Sequence, residues 1–267
     1  MSAPVPVLMY HAVAREPNEA TRGLSVSPEA FAAQMAVLSD LDFTPVTTAG
    51  LAAHWRAAGS SPLPGNPVLI TFDDGYEGVH RHALPALAEH GFPATLFVST
   101  GWIRGAHDTG GGLDTMLDWK QVRELAAAGV EIGGHSHTHP QLDQLDDDAL
   151  WPELTRCREI VADELGTVPA SFAYPYGYSS RRVRERVREA GFAQALAVGN
   201  GLARRRQGPY ALQRLTVRRS TTVQEFERLV QGRAIARNFA RDRALTKGYA
   251  MVRRARQVRR KASCARV

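Results

Sequence analysis

The sequence predicts an α/β chain folded as a distorted (β/α) barrel of about seven strands. Short apolar runs alternate repeatedly with helix-length periodic segments. The apolar runs are nearly continuous, as expected of strands covered on both faces. Polar residues recur just past them: His11, Asp73, Asp74, Ser99, His135 and Tyr176. Barrel enzymes carry their chemistry at the C-terminal ends of the strands, so this last pattern favours a closed barrel over a doubly wound sheet. The sequence has neither a Gly-x-Gly-x-x-Gly after the first strand nor a P-loop lysine motif.

The elements follow in order. "PVLMYH" (6–11) is a short strand ending on a histidine. In "SPEAFAAQMAVLSDL", Ser27 is a natural N-cap, and Phe31, Met35 and Leu38 recur at helical spacing. "FTPVTT" is a short extended piece, and 48–58 reads as a helix. "NPVLITFDDG" is the strongest strand, followed by the helix "GVHRHALPALAEHG" and the strand "PATLFVST". Residues 100–117 form a glycine-containing loop before the helix "DWKQVRELAAAG". "VEIGGHSHTHP" is strand then loop, and "DDALWPELTRCREIVADELG" is a helix in which Pro152 suits the first turn or makes a kink. "ASFAYPYG", "QALAV" and "YALQRLTVRRS" read as strands, and "SSRRVRERVREAG" and "TVQEFERLVQG" as helices.

The 267-residue chain is 44% hydrophobic, enough for a sizeable core. Its net charge of +6 is unevenly placed. Residues 233–267 hold twelve Lys/Arg and one acid, leaving 21 basic and 26 acidic residues in the rest. The basic character therefore belongs to the tail, and the body is mildly acidic. The chain is expected to comprise a catalytic domain over 1–232 and a basic tail over 233–267, partly helical or disordered. Two cysteines, Cys157 and Cys264, support no disulfide framework. With no visible signal peptide and no run of membrane-spanning length, the expected location is cytoplasmic.

The chemistry concentrates in two stretches. "TFDDG" ends a strand on adjacent carboxylates, Asp73 and Asp74, which repel each other and more so when buried. "GGHSHTHP" brings His135, His137 and His139 within five residues. Imidazoles and a carboxylate together suit a divalent cation. One aspartate, Asp74, then serves as a ligand with two histidines four apart, and its neighbour Asp73 remains a base.

The order and spacing of "TFDDG", "HSHTH" and "FAYPYG" resemble the polysaccharide deacetylase family, carbohydrate esterases of the chitooligosaccharide-deacetylase type. "VPVLMYHAV", "GFPATLFVST" and "LDWKQVRELAAAGVEIGGHSHTHP" are also similar, so that the resemblance spans about residues 5–230. It implies a hydrolase removing N-acetyl groups from an amino-sugar polysaccharide, oligosaccharide or lipid-linked glycan, with a divalent metal, zinc foremost, as cofactor. Asp73 matches the catalytic base, and Asp74, His135 and His139 the metal ligands; His137 falls between ligand positions. Pro175 and Tyr176 match the groove-lining segment, with the Tyr176 N–H aimed at the oxyanion. Trp119 either floors the sugar pocket or sits in the core. Two departures from the family stand out. Many members carry an arginine where this chain has Ala173, and a histidine in the last strand, which "LQRLTVRRS" lacks. The exopolysaccharide N-deacetylase type is similar in both respects. That similarity implies His11 as the general acid and leaves Arg214 either to orient the base or to make an ordinary rim salt bridge.

Rival readings are another metal-dependent amidohydrolase and a catalytically weak, glycan-binding barrel. No nucleic-acid partner is expected, because the tail lacks interleaved aromatics and the body is acidic. In the tail, Ile235 and Phe239, then Leu245, Tyr249 and Val252, make partial apolar stripes among arginines, interrupted by Gly248. An anionic membrane surface is the partner such a segment suits, the alternative being a solvated extension.

Overall fold

The computed structural model describes residues 3–57, 63–245, 249 and 253. Among them are eight strands: β1 Val7–Tyr10, β2 Thr44–Pro45, β3 Pro67–Phe72, β4 Thr95–Val98, β5 Glu131–Gly134, β6 Ser171–Ala173, β7 Gln194–Leu196 and β8 Leu215–Thr216. Seven of them run in the order β7-β6-β5-β4-β3-β1-β8, and β2 pairs with β3 off this path. Every pairing between these strands is parallel. At the open side Leu196 bridges Leu212, which leads into β8, so the two ends of the sheet meet. The expected seven-stranded distorted barrel is the fold.

Alternation along the strands divides the core. Val68, Ile70 and Phe72 of β3 face outward into the largest apolar cluster, with Phe31, Met35 and Phe226. Leu69 faces the other way, with Val7, Phe97, Ala173 and Leu196 from neighbouring strands, and these fill the barrel interior. Period-2 geometry then carries Thr71 and Asp73 inward behind Leu69. The first carboxylate of the Asp pair is therefore committed to the barrel axis by its register.

The outer helices are α1 Glu19–Arg22, α2 Pro28–Asp40, α3 Thr48–Arg56, α4 Leu84–Glu89, α5 Trp119–Ala127, α6 Asp147–Leu165, α7 Arg181–Glu189, α8 Val223–Val230 and α9 Ile235–Asn238. Their starts are chemically marked. Ser27, Thr47, Asp118, Asp146, Ser180 and Thr222 each accept a backbone N–H as N-cap. A π-turn over Val79–Ala83 precedes α4, where Pro85 has no N–H for the preceding turn. Pro152 lies inside α6 beyond its first turn, and the helix runs through it. The strand expected over 170–177 stops at Ala173, because a 3-10 turn with Tyr176 at φ +59° follows.

The start of the basic tail packs on the body. Phe239 is 5% exposed among Leu215, Leu229, Leu202 and Ile235. Residues 240–245 continue as helix. Ile235 and Phe239 thus form a core contact and do not present a free stripe, whereas Gly248 and Val252 lie outside the described residues. No helix among the described residues is long and apolar enough to cross a membrane.

Phe239→Ala should therefore lower the unfolding free energy by about 3 kcal/mol in urea titration, the usual cost of emptying a buried aromatic site. A loss below about 0.5 kcal/mol would show that the segment does not rest on the body.

Candidate active site

The C-terminal ends of β1, β3 and β5 and the turn after β6 surround one cleft of about 350 Å³. His11, Asp73, Asp74, His135, His139 and Tyr176 all line it. Residues from opposite ends of the sequence-level pattern are thus brought together.

Asp73 and Asp74 are 2% and 5% exposed, and they are handled differently. Arg214, with no exposed side-chain surface, donates to both oxygens of Asp73, Nη1 to Oδ1 at 2.6 Å and Nη2 to Oδ2 at 2.8 Å. Nη1 also reaches the Thr71 hydroxyl at 3.3 Å, and the guanidinium carbon lies 5.7 Å from the Phe97 ring centre. A bidentate guanidinium fixes both position and charge. Burial alone would raise the Asp73 carboxyl, but Arg214 and then His135 hold it below the usual carboxylate range. Arg214 is buried with Asp73 and is not a rim salt bridge.

Asp74 has no such partner. Its Oδ1 is buried without a hydrogen bond, and the Nε2 atoms of His135 and His139 each lie 3.3 Å from it. The His135 Nδ1 is 2.7 Å from the Ala173 carbonyl, which can only accept. Nδ1 therefore carries the ring proton, and the lone pair of Nε2 faces Asp74. The ring of His139 is held between Trp102 and Tyr176, at 4.6 and 4.8 Å between ring centres. One ligand atom from each of Asp74, His135 and His139 falls within a 4.8 Å span. An orphaned carboxylate oxygen facing two imidazole nitrogens fits a divalent cation in donor type and in charge. Burial would raise Asp74, yet His135 and His139, when their rings are protonated, hold its carboxyl well below the usual range.

Backbone strain is concentrated here. Asp74, Ser136, His139 and Tyr176 have φ of +77°, +67°, +60° and +59°. Left-handed conformations cost non-glycine residues of order 1–3 kcal/mol each and persist where surrounding contacts impose them. At Asp74 the Ser99 N–H holds the carbonyl at 3.2 Å, and the Ser99 hydroxyl donates to the His135 carbonyl at 3.1 Å. Gly75 follows at φ +102°, with Ile103 against the place a Cβ would take.

Trp119 and Pro175 are placed away from this centre, and so is His137, which the resemblance sets between the ligand positions. His137 is buried, its Nδ1 2.9 Å from the Thr100 hydroxyl, and it lies outside the Asp74, His135 and His139 group. Trp119 is 5% exposed in the main core and does not floor the cleft, because it shares the buried apolar face of α5 with Val122 and Leu125. Pro175 is buried beneath the turn, and Tyr176, Gly177 and Tyr178 line the cleft instead. His11 is where expected, with its Nδ1 buried and unpartnered. Burial lowers its pKa, against the upward pull of Asp74 and Asp73. Sequence reasoning missed Tyr76, which lines the cleft beside Asp74. Burial, then the Asp74 charge, pushes its phenol far up, so it remains a neutral donor. Its position two residues after Asp74 was the available signal.

The polysaccharide deacetylase family model matches residues 60–195, just over half of the chain, and the chain belongs to that family. The match excludes His11 and Arg214. YxkH of Bacillus subtilis (strain 168) is 27% identical over 215 residues, 80% of this chain and 72% of the relative. The poly-beta-1,6-N-acetyl-D-glucosamine N-deacetylase of Escherichia coli (strain K12) is 24% identical over 240 residues, covering 77% of this chain but only 35% of that enzyme. Among solved structures, deacetylase PplD of Streptococcus pyogenes in complex with acetate superposes with a TM-score of 0.76 at 22% identity, over 87% of this chain and 99% of that one. IcaB from Ammonifex degensii gives 0.72 at 25% identity, over 86% and 98%.

Arg214→Gln leaves Asp73 buried without its counter-charge. The unfolding free energy should fall by about 3–5 kcal/mol at pH 7, the cost of breaking a buried ion pair. The loss should shrink at acid pH, since Asp73 released from Arg214 takes up a proton more readily and protonation removes the unpaired charge. A deficit that is small, or independent of pH, contradicts this assignment.

Proposed function

We propose that the protein is a metal-dependent carbohydrate N-deacetylase that hydrolyses the acetamide of an N-acetylated amino sugar. The carrying observation is the division of labour between the two aspartates, one neutralised by Arg214 and the other facing two imidazoles. A glycan-binding barrel without catalysis has no use for a buried base locked by a bidentate arginine.

Asp74, His135 and His139 would hold the cation, for which zinc suits the two-imidazole, one-carboxylate set. Bound there, a divalent cation supplies Lewis acidity, lowering the pKa of a water and polarising the acetyl carbonyl. Asp73, ionised and fixed by Arg214, takes the proton of the attacking water. The Tyr176 N–H, in the turn that lines the cleft, is assigned to the developing oxyanion. Tyr76 stays protonated and orients Asp74. His11 faces Asp73 and Asp74 from the end of β1 and gives its proton to the departing amine. Its lowered pKa makes the protonated ring a strong acid toward the departing amine.

The test is acetate release from a panel of N-acetylated amino-sugar substrates, with metal content measured in parallel. Asp73→Asn should keep its metal and lose most of the rate, whereas Asp74→Asn should lose metal affinity first. Equal metal loss in both variants, by calorimetric titration, contradicts the division of roles.

His11→Ala should cost about 10²–10⁴-fold in rate, the usual contribution of a general acid. An acid must be protonated to act, so wild-type activity falls as pH rises through its pKa in the complex, and the variant should lack that limb. Near-normal turnover of His11→Ala assigns the proton to another donor.

A further inference from the structure

Eight large apolar side chains are exposed among the described residues, and five of them surround the one cleft described above. Leu24, Leu113, Tyr176, Leu245 and Tyr249 all line it. They come from the end of α1, the loop between β4 and α5, the turn after β6, and the segment after α9. Scattered exposed apolar residues need no explanation, but convergence from four separate parts of the chain does.

The described residues of the C-terminal segment are fastened over this opening. The Asp242 carboxylate pairs with Arg218 at 3.1 Å, and Arg243 donates to the Asn200 carbonyl at 2.6 Å. The Arg253 guanidinium donates to Asp143 at 2.9 Å and lies 3.4 Å from the Tyr178 ring centre. Phe239 seats the start of the segment on the body. These contacts hold Leu245 and Tyr249 at the mouth while leaving them 52% and 58% exposed. The loop bearing Leu113 is tied down too, since Asp114 accepts from the Asn18 N–H and the Thr21 hydroxyl, both at 2.8 Å.

The cleft is therefore polar at its floor and aliphatic at its mouth. A bare glycan does not account for the leucines. Sugar rings stack on flat aromatic faces, whereas hydroxyls brought against leucine lose water without gaining a hydrogen bond. We propose that Leu24, Leu113, Leu245 and Tyr249 form a subsite for a hydrocarbon aglycone. The substrate is then an amphiphile, an N-acetylated amino sugar whose glycosidic oxygen carries an aliphatic chain. This rests on the deacetylase reading and adds its substrate class. It also gives the start of the basic tail a place in the site.

The experiment uses the full chain supplied with zinc and the methyl, butyl and octyl glycosides of N-acetylglucosamine, kept below their micellar concentrations. Acetate release gives kcat/KM, and calorimetry gives Kd for the same series. A methylene fully removed from water is worth about a fourfold step, so a partly covered chain should raise kcat/KM about tenfold or more from methyl to octyl. In Leu113→Asn and Leu245→Asn the loss should grow with alkyl length and appear in KM. A flat series, a variant loss equal on methyl and octyl glycosides, or preference for an unsubstituted chitooligosaccharide over the octyl glycoside overturns the proposal. Absence of acetate release from every substrate overturns the deacetylase reading instead. The Kd series then decides the subsite alone, rising affinity with length supporting it and constant affinity refuting it.

Discussion

Asp73 and Arg214 meet inside the barrel through two hydrogen bonds of 2.6 and 2.8 Å, with neither group open to solvent. The rest of the site depends on that pair. Two buried carboxylates on consecutive residues carry two negative charges into a low-dielectric space, and the guanidinium cancels one of them. A single negative charge remains, on Asp74, whose Oδ1 has two imidazole nitrogens beside it and no hydrogen bond. The arginine thus separates the two aspartates, with both oxygens of Asp73 paired and Oδ1 of Asp74 without a hydrogen bond. The positive charge beside Asp73 comes from Arg214, just before β8, and Ala173 at the end of β6 carries none.

The strained backbone belongs to the same logic. A parallel strand would send Asp73 and Asp74 to opposite faces. The left-handed turn at Asp74, φ +77°, brings the second carboxylate back over the end of the barrel. Similar turns at Ser136 and His139 bring two histidines of one loop toward a common point and leave His137 outside it. The strain is offset by the Ser99 contacts and by the packing of the His139 ring between Trp102 and Tyr176.

The fold and most of this centre were legible in the sequence because their signals are local. Alternation of apolar strands and helices, capping residues, and the Asp-Asp-Gly and paired-histidine stretches each fit within a few residues. What was not legible depends on contacts between distant segments. Nothing near "LQRLTVRRS" says that Arg214 points into the barrel, since a strand arginine has two faces to choose from. Trp119 has the spacing of either a core or a pocket residue, and the packing of α5 settles it as core. The apolar stripe of the tail was visible, but its cover was not. Ile235 and Phe239 meet Leu215 and Leu229, and Leu245 and Tyr249 reach the cleft mouth, through contacts no local pattern encodes.

The central claim is that Arg214 reserves Asp73 while Asp74 binds the cation. An anomalous-difference map from crystals of zinc-loaded protein tests it directly. The account predicts one zinc peak about 2.0–2.2 Å from Asp74, His135 and His139, with Asp73 still making both hydrogen bonds to Arg214. A zinc ion ligated by Asp73, with Arg214 turned away, would contradict it.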